Sequence, residues 1–210
     1  MNTTKRTEIS SLGEFGFVER LTKDIATVNK ETVKGIGDDA AILQFGSDEE
    51  VLMTTDLFME GVHFDLTYFP LKHLGYKVVV ANISDIYAMN GTPKQITVSL
   101  GISRKFCIED IEELYSGIRL ACEQYGVDIV GGDTTSSLTG LAISITATGT
   151  AAKGTSVRRS SAKETDLICV TGNLGAAYMG LSYLNARRLQ QQERTCNPTL
   201  RARSTSLNAN

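Results

Sequence analysis

Hydrophobic positions recur at helical spacing in two stretches of the chain. From Leu12 to Val28 the apolar residues Phe15, Val18, Leu21 and Ile25 fall three, three and four apart, which predicts an amphipathic helix. A second stripe, Ile108, Ile111, Leu114, Ile118 and Cys122, predicts a helix over Ile108–Tyr125 with Gly126 beyond its end. Between them Leu74–Met89 (LGYKVVVANISDIYAM) is mostly apolar, as a buried helix is, and Asn90-Gly91-Thr92-Pro93 stops it. The runs AAILQF (40–45) and VLMTTD (51–56), separated by the polar GSDEE, predict a hairpin. QITVSLGI, VDIVGGD, LAISITATGTA and LICVTG predict further strands, and LGAAYMGLSYL opens a last helix. Strands and helices alternate, and a hairpin lies near the front. The fold class is mixed α/β, not a purely parallel doubly wound sheet.

Composition narrows the class. With 210 residues, 41% hydrophobic and 21% charged, the chain is long enough to bury a core without staples, and wholesale disorder is excluded. No run approaches the length of a membrane span. The start, MNTTKRTEISSLGEFGF, lacks the apolar stretch of a signal peptide. Four cysteines (Cys107, Cys122, Cys169, Cys196) form no CxxC pair and read as reduced thiols of a cytoplasmic protein. A net charge of −3 argues against general nucleic-acid binding. The charge is uneven: residues 185–210 hold five arginines and one acid, +4, leaving −7 to the first 184. This last stretch has no glycine and no aromatic residue, and reads as a fraying helix end followed by disorder. A basic nucleic-acid arm is the functional alternative.

Familiar nucleotide motifs fail on inspection. Gly35-Ile36-Gly37-Asp38-Asp39-Ala40 fits a loose GxGxxA pattern, but a strand follows it where a dinucleotide fingerprint needs a helix. No GxxxxGK[ST] loop, HExxH or GxSxG elbow occurs, and His63 and His73 are the only histidines. What the chain does have is aspartates at strand ends. Asp38 and Asp39 precede a strand; Asp56 closes one after Thr54-Thr55; Asp133 closes another before Thr134-Thr135. Asp85 lies in the apolar helix, three residues after Asn82, where a carboxylate is costly unless paired or bound to metal. Singly, each is most simply a cap or a structural acceptor. Together, carboxylates with hydroxyls form the hard oxygen shell that Mg²⁺ prefers. Gly131-Gly132 permits close backbone approach to a phosphate, and Arg158-Arg159 offers either a cationic clamp or a solvated loop.

GIGDDAAIL, TTDLFMEGVHF, VVVANISDIYAMNGTPK, IVGGDTT and RRSSAKETDLICVTG occur in one order. Over residues 12–184 the chain resembles the amino-terminal domain of the thiamine-monophosphate kinase family, within the aminoimidazole-ribonucleotide-synthetase-like ATP-binding superfamily. The resemblance implies Mg²⁺-dependent transfer of the ATP γ-phosphate to thiamine monophosphate, several ions, and a homodimer whose sheets pair into a barrel with active sites near the subunit boundary. It implies metal ligation by Asp39, Thr54, Thr55, Asp56, Asp85 and Asp133. Gly132, Asp133, Arg159 and Tyr115 would meet the nucleotide, and His63 the thiamine phosphate. Without the resemblance His63 is an ordinary loop histidine. No covalent intermediate or catalytic side chain is expected, because phosphoryl transfer rests on positioning and charge neutralisation.

The family continues into a second α/β domain, and here the match ends near residue 184. Residues 1–184 are therefore expected to form the ATP- and Mg-binding domain, and 185–210 a basic tail that is disordered or frame-altered. A chain so ended is expected to fold and pair but to turn over little. Two other classes use the same residues: a metal-dependent phosphohydrolase with water as acceptor, and a non-catalytic nucleotide-binding or dimerisation module.

Overall fold

The computed structural model describes residues 7–34, 36, 42–158, 160 and 162–196. A short 3-10 turn, Ile9–Ser11, leads into helix α1 (Gly13–Thr22). Strands β1 (Thr32–Lys34), β2 (Ile42–Leu43) and β3 (Glu49–Met59) follow, then α2 (Leu71–Ala88) and β4 (Thr92–Ile102). The order continues with α3 (Ile108–Tyr125), β5 (Asp128–Ser136), β6 (Ala142–Ala152) and α4 (Ala176–Cys196). The chain divides into two compact units, residues 1–161 and 162–210.

In the first unit the main sheet has the order β3-β6-β4-β5. β6 pairs antiparallel with β3 and β4, while β4 and β5 are parallel and joined through α3. A crossover helix is what two parallel neighbours require. The sheet is mixed, as the sequence predicts. One face is apolar: Ile143, Ile145 and Ala147 of β6 and Ile96, Val98 and Leu100 of β4 are buried in one cluster with Leu74, Val78, Val79, Ile83 and Ile86 of α2. From α3, Ile108, Ile111, Leu114, Ile118 and Cys122 join them, the stripe read from the sequence. The two helices meet backbone to backbone. A Cβ on Gly75 would stand 2.0 Å from the Leu114 carbonyl oxygen, and one on Gly117 1.8 Å from that of Lys72. The α3 N-terminus is closed by Asp110, whose carboxylate accepts from the Cys107 N–H at 2.8 Å. Its C-terminus turns at Gly126, φ 64°.

Asp128, fully buried at the start of β5, fixes the segment before β1 to the sheet. Its carboxylate accepts from the Val28 N–H at 2.6 Å, the Asn29 N–H at 3.0 Å and the Thr32 hydroxyl at 2.5 Å. Gln95 extends this network, donating to Thr32 and accepting from Thr148, each at 2.9 Å. A buried carboxylate is tolerable only when its oxygens are met in this way.

Four sequence expectations need correction. The first helix stops at Thr22, and its buried residues are Phe17 and Leu21, with Val18 turned to solvent; Phe15's side chain lies outside the described residues. The hairpin between 40–45 and 51–56 does not form. The short β2 pairs with β1, and the eleven-residue β3 takes β6, a partner of its own length, along its whole run. LICVTG (167–172) is not a strand: Leu167 and Ile168 are 90% and 96% exposed, and the described part of their unit offers no strand to pair with. An unpaired apolar run has no ladder to fix it. Helix α2 begins three residues before Leu74, directly after Pro70. Helix α4 runs to Cys196, in keeping with the helix end expected at the start of 185–210. Cys107 and Cys122 are free and buried, as expected, and burial pushes the Cys122 thiol up to about 12.

Candidate functional site

The acidic residues singled out from the sequence fall on a sheet with two distinct faces. Register assigns each to one of them, because residues paired across strands point the same way. Thr54 lies opposite Ala147, and Asp56 opposite Ile145, so both belong to the helix-covered side. There the Thr54 hydroxyl donates to Asp85 on α2 at 2.8 Å. Asp85 is exposed, not buried as its apolar helix suggested; Asn82, one turn earlier, is the buried member and donates to the Ile145 carbonyl at 3.1 Å. Thr55 lies on the other, open face, bonding the Thr146 hydroxyl at 3.0 Å. Asp133 also belongs to the open face, in register with Ser99 and through it Ser144.

A cleft of about 410 Å³ opens where β3, the end of α2 and the segment after β6 converge. Thr54, Asp85, Met53, Met89 and Arg158 line it. The segment carrying Arg158 is held against α2: the Val157 N–H donates to the Met89 carbonyl at 3.1 Å, and Asn90 donates to the Thr155 carbonyl at 3.2 Å. The Ser156 hydroxyl donates to Glu50 at 2.6 Å, and that bond holds the Glu50 carboxyl below its ordinary range. A hydroxyl, a carboxylate and a guanidinium thus share one opening. That set suits a phosphate group: the cation meets its oxygens directly, and hard oxygens hold a cation that would bridge to it.

The remaining predicted residues fall elsewhere. Asp38, Asp39 and Arg159 lie outside the described residues. Tyr115 is in the core, 7% exposed, and burial pushes its phenol up to about 12. The ring expected at a nucleotide packs among aliphatic side chains. Gly132 has a structural reason to be glycine, since a Cβ there would stand 1.9 Å from the Val98 carbonyl oxygen of β4. The register shifts just before it, with Ile96 opposite Ile129 but Thr97 opposite Gly131, so an extra residue is accommodated in β5. Gly131 is the roomier of the pair, its nearest neighbour being the Thr97 methyl at 3.9 Å. His63 is exposed in the turn after β3. Its Nδ1 accepts from the Met59 N–H at 2.9 Å, which leaves Nε2 as the N–H donor of the neutral ring. Phe58 packs edge-on to it, ring centres 6.0 Å and planes 71° apart.

Among the described residues no three acidic, histidine or cysteine side chains gather as a metal-binding group. Thr54 and Asp85 fit part of a magnesium shell. Asp133, on the far edge strand, does not join them within one chain. Arg158 is one half of the arginine pair that the sequence offers as a clamp or a solvated loop, whereas the Thr54–Asp85 bond escaped a reading that buried the Asp85 charge. The alternation of β3 against β6 was the signal for the second, because it puts Thr54 on the helix side.

Comparison with known proteins gives this geometry a family. Residues 37–151 match the model of the AIR synthase related protein, N-terminal domain. The chain belongs to this family. It is 37% identical to the thiamine-monophosphate kinase of Bacillus subtilis over 174 residues, covering 82% of this chain and 53% of that protein. Against the enzyme of the same name from Aquifex aeolicus it is 34% identical over 176 residues, 84% of this chain and 54% of the other. Among solved structures, AaThiL complexed with AMPPCP and TMP aligns with TM-score 0.63 and 33% identity, covering 89% of this chain and 56% of that one. The AIR synthase related chain thus spans about half the length of the curated relatives it matches. No described helix is long and apolar enough to cross a membrane.

Proposed function

We propose that this chain carries the ATP- and Mg²⁺-binding part of a thiamine-monophosphate kinase acting as a cytoplasmic homodimer. The observation that carries the reading is the cleft in which Thr54, Asp85 and Arg158 converge, on a chain 37% identical to a kinase of that name. A relative held with AMPPCP and TMP supports a nucleotide and a thiamine phosphate as the two ligands. In the reaction an oxygen of the thiamine phosphate attacks the γ-phosphorus of ATP. One P–O bond forms, the bond to the β,γ-bridging oxygen breaks, and thiamine diphosphate and ADP leave. The attacking oxygen is already ionised at neutral pH, so no side chain need remove a proton.

The chain's own groups then have positioning work. Arg158 meets the polyphosphate, the His63 Nε2–H, left over by the bond at Nδ1, donates to the acceptor phosphate, and the Thr54 hydroxyl orients Asp85. Magnesium, when bound, neutralises phosphate oxygens. Asp39, Thr55, Asp56, Gly132, Asp133 and Arg159 keep their proposed roles toward metal or nucleotide. For Tyr115 the buried ring argues for a packing role. The test is titration of the purified chain with ATP, with and without Mg²⁺, beside an assay for thiamine diphosphate and for free phosphate. Mg²⁺-dependent binding supports the reading, and thiamine diphosphate formation completes it. Phosphate release without thiamine diphosphate would favour a phosphohydrolase, and absence of ATP binding would refute the nucleotide site.

A further inference from the structure

We infer that Lys77 is a cation for the acceptor phosphate, set beside His63 at the opposite end of the β3–α2 seam from Arg158. The inference rests on the kinase reading above and deepens it by naming the charge that meets the acceptor.

Helix α2 runs back along β3, and three contacts fix its direction. Just past the helix, a Cβ on Gly91 would meet the Leu52 side chain at 2.4 Å. Asp85 accepts from Thr54, and Lys77 reaches the turn that follows β3. From Asp85 back to Lys77 the helix rises about 12 Å. Asp56, on the helix side of β3, lies between them along the strand. Arg158 stands beyond Asp85, where its segment is bonded to Met89. Charge along the seam therefore runs cation, acid, acid, cation. Two phosphate-bearing reactants that meet at the acids have to enter from opposite ends, and each needs a cation behind it to offset like-charge repulsion. Arg158 serves the donor end. At the acceptor end His63 offers an Nε2–H but, with Nδ1 accepting from Met59, no charge. A phosphate monoester carries close to two negative charges at neutral pH. Lys77 supplies the missing cation.

Its posture suits that task. The His63 turn is closed by its own main chain: the Met59 carbonyl accepts from His63 at 2.9 Å, and Gly61 donates to Phe64 at 2.8 Å. Lys77 lies against this turn, its ammonium 5.1 Å from the centre of the Phe69 ring and 3.4 Å from the His63 carbonyl oxygen. The ring holds the cation in place. A bond of 3.4 Å is weak, so the charge and the two remaining N–H groups stay available. The side chain is exposed, and among the described residues no carboxylate pairs with it.

Calorimetry with three probes tests the assignment: thiamine monophosphate, thiamine, and ATP with Mg²⁺. Lys77→Met keeps the stem over Phe69 and removes the charge, while Lys77→Arg keeps the charge. Wild type should prefer thiamine monophosphate to thiamine. Lys77→Met should weaken thiamine monophosphate binding about tenfold or more and leave thiamine and Mg–ATP unchanged, and Lys77→Arg should recover most of the loss. Unchanged thiamine monophosphate affinity in Lys77→Met, or equal losses for thiamine and its phosphate, would overturn the inference and leave the kinase reading intact. If Lys77→Met does not fold, carbon-13 labelling of lysine Cε in the wild type decides. The Lys77 resonance, identified by its absence from Lys77→Arg, should shift with thiamine monophosphate and not with thiamine, and a resonance that stays in place would overturn the inference. A wild-type chain that binds Mg–ATP but no thiamine monophosphate would overturn the acceptor half of the kinase reading, and the inference with it.

Discussion

Gly132→Ala tests whether the glycine pair of β5 serves the sheet or a ligand. A Cβ at residue 132 would stand 1.9 Å from the Val98 carbonyl oxygen and 2.8 Å from its carbon, both main-chain atoms of the neighbouring strand. An ordinary carbon–oxygen contact begins near 3.4 Å, so β4 and β5 must part locally by about 1.5 Å. Ladder bonds near 2.9 Å would open beyond bonding range, and at least two would be lost at about 0.5–1.5 kcal/mol each. Disturbed packing of Val98 adds about 1 kcal/mol. The expected loss is on the order of 3 kcal/mol, or about 6–12 °C in Tm for a unit of this size. Gly131→Ala meets only the Thr97 methyl at 3.9 Å and should change stability by less than about 1 kcal/mol. Thermal and urea unfolding of both variants provide the assay. If Gly132→Ala melts with the wild type, the close approach of β4 to β5 is wrong and the structural demand for glycine at 132 falls away.

Two further outcomes follow from the site and a third from the N-terminal segment. Asp85→Asn keeps an acceptor for the Thr54 hydroxyl, so Tm should move by less than about 4 °C, while Mg–ATP affinity falls about 10- to 150-fold for loss of a charged contact; unchanged binding with a large drop in Tm would make Asp85 structural. His63→Ala should weaken thiamine monophosphate binding about tenfold and leave ATP binding alone, measured by titration with each ligand; equal losses for both would remove His63 from the acceptor side. Glu109 accepts from the Thr7 hydroxyl at 2.7 Å and the Thr7 N–H at 2.9 Å, which lowers its carboxyl from 4.5 to about 2. The depressed value means that this tether of the N-terminal segment is fully present above pH 4.5 and lost as pH falls towards 2 and below; carboxyl NMR titration should show it, with Thr7→Ala moving the midpoint upward.

Much of the fold was legible because its long elements carry their own period. The α3 stripe came through with its boundaries, since Ile108–Cys122 faces the core and Gly126 ends the helix. Pairing was not legible. GSDEE looks like a hairpin turn, yet β3 finds its partner some ninety residues on, and no local signal encodes that choice. LICVTG has the composition of a strand but, among the described residues of its unit, no neighbour to pair with. For the site, residue types were readable and their directions were not. Thr54 and Thr55 are adjacent in sequence and on opposite faces of the sheet, and Asp85 lies on the exposed side of a helix whose apolar stripe is buried. Gly132 reads as a phosphate approach, and the Val98 carbonyl adds a structural reason for glycine that only the paired strand reveals. Period-2 alternation and strand order make these distinctions, and both become definite only once the partner strands are known.

The most direct test of the account is a crystal of the chain grown with Mn²⁺ in place of Mg²⁺ and a non-hydrolysable ATP analogue. Anomalous scattering then locates the metal without reference to any proposed ligand. The account predicts manganese beside Thr54 and Asp85, with the analogue's phosphates reaching Arg158. Metal and phosphates located away from the β3–α2 cleft would contradict it.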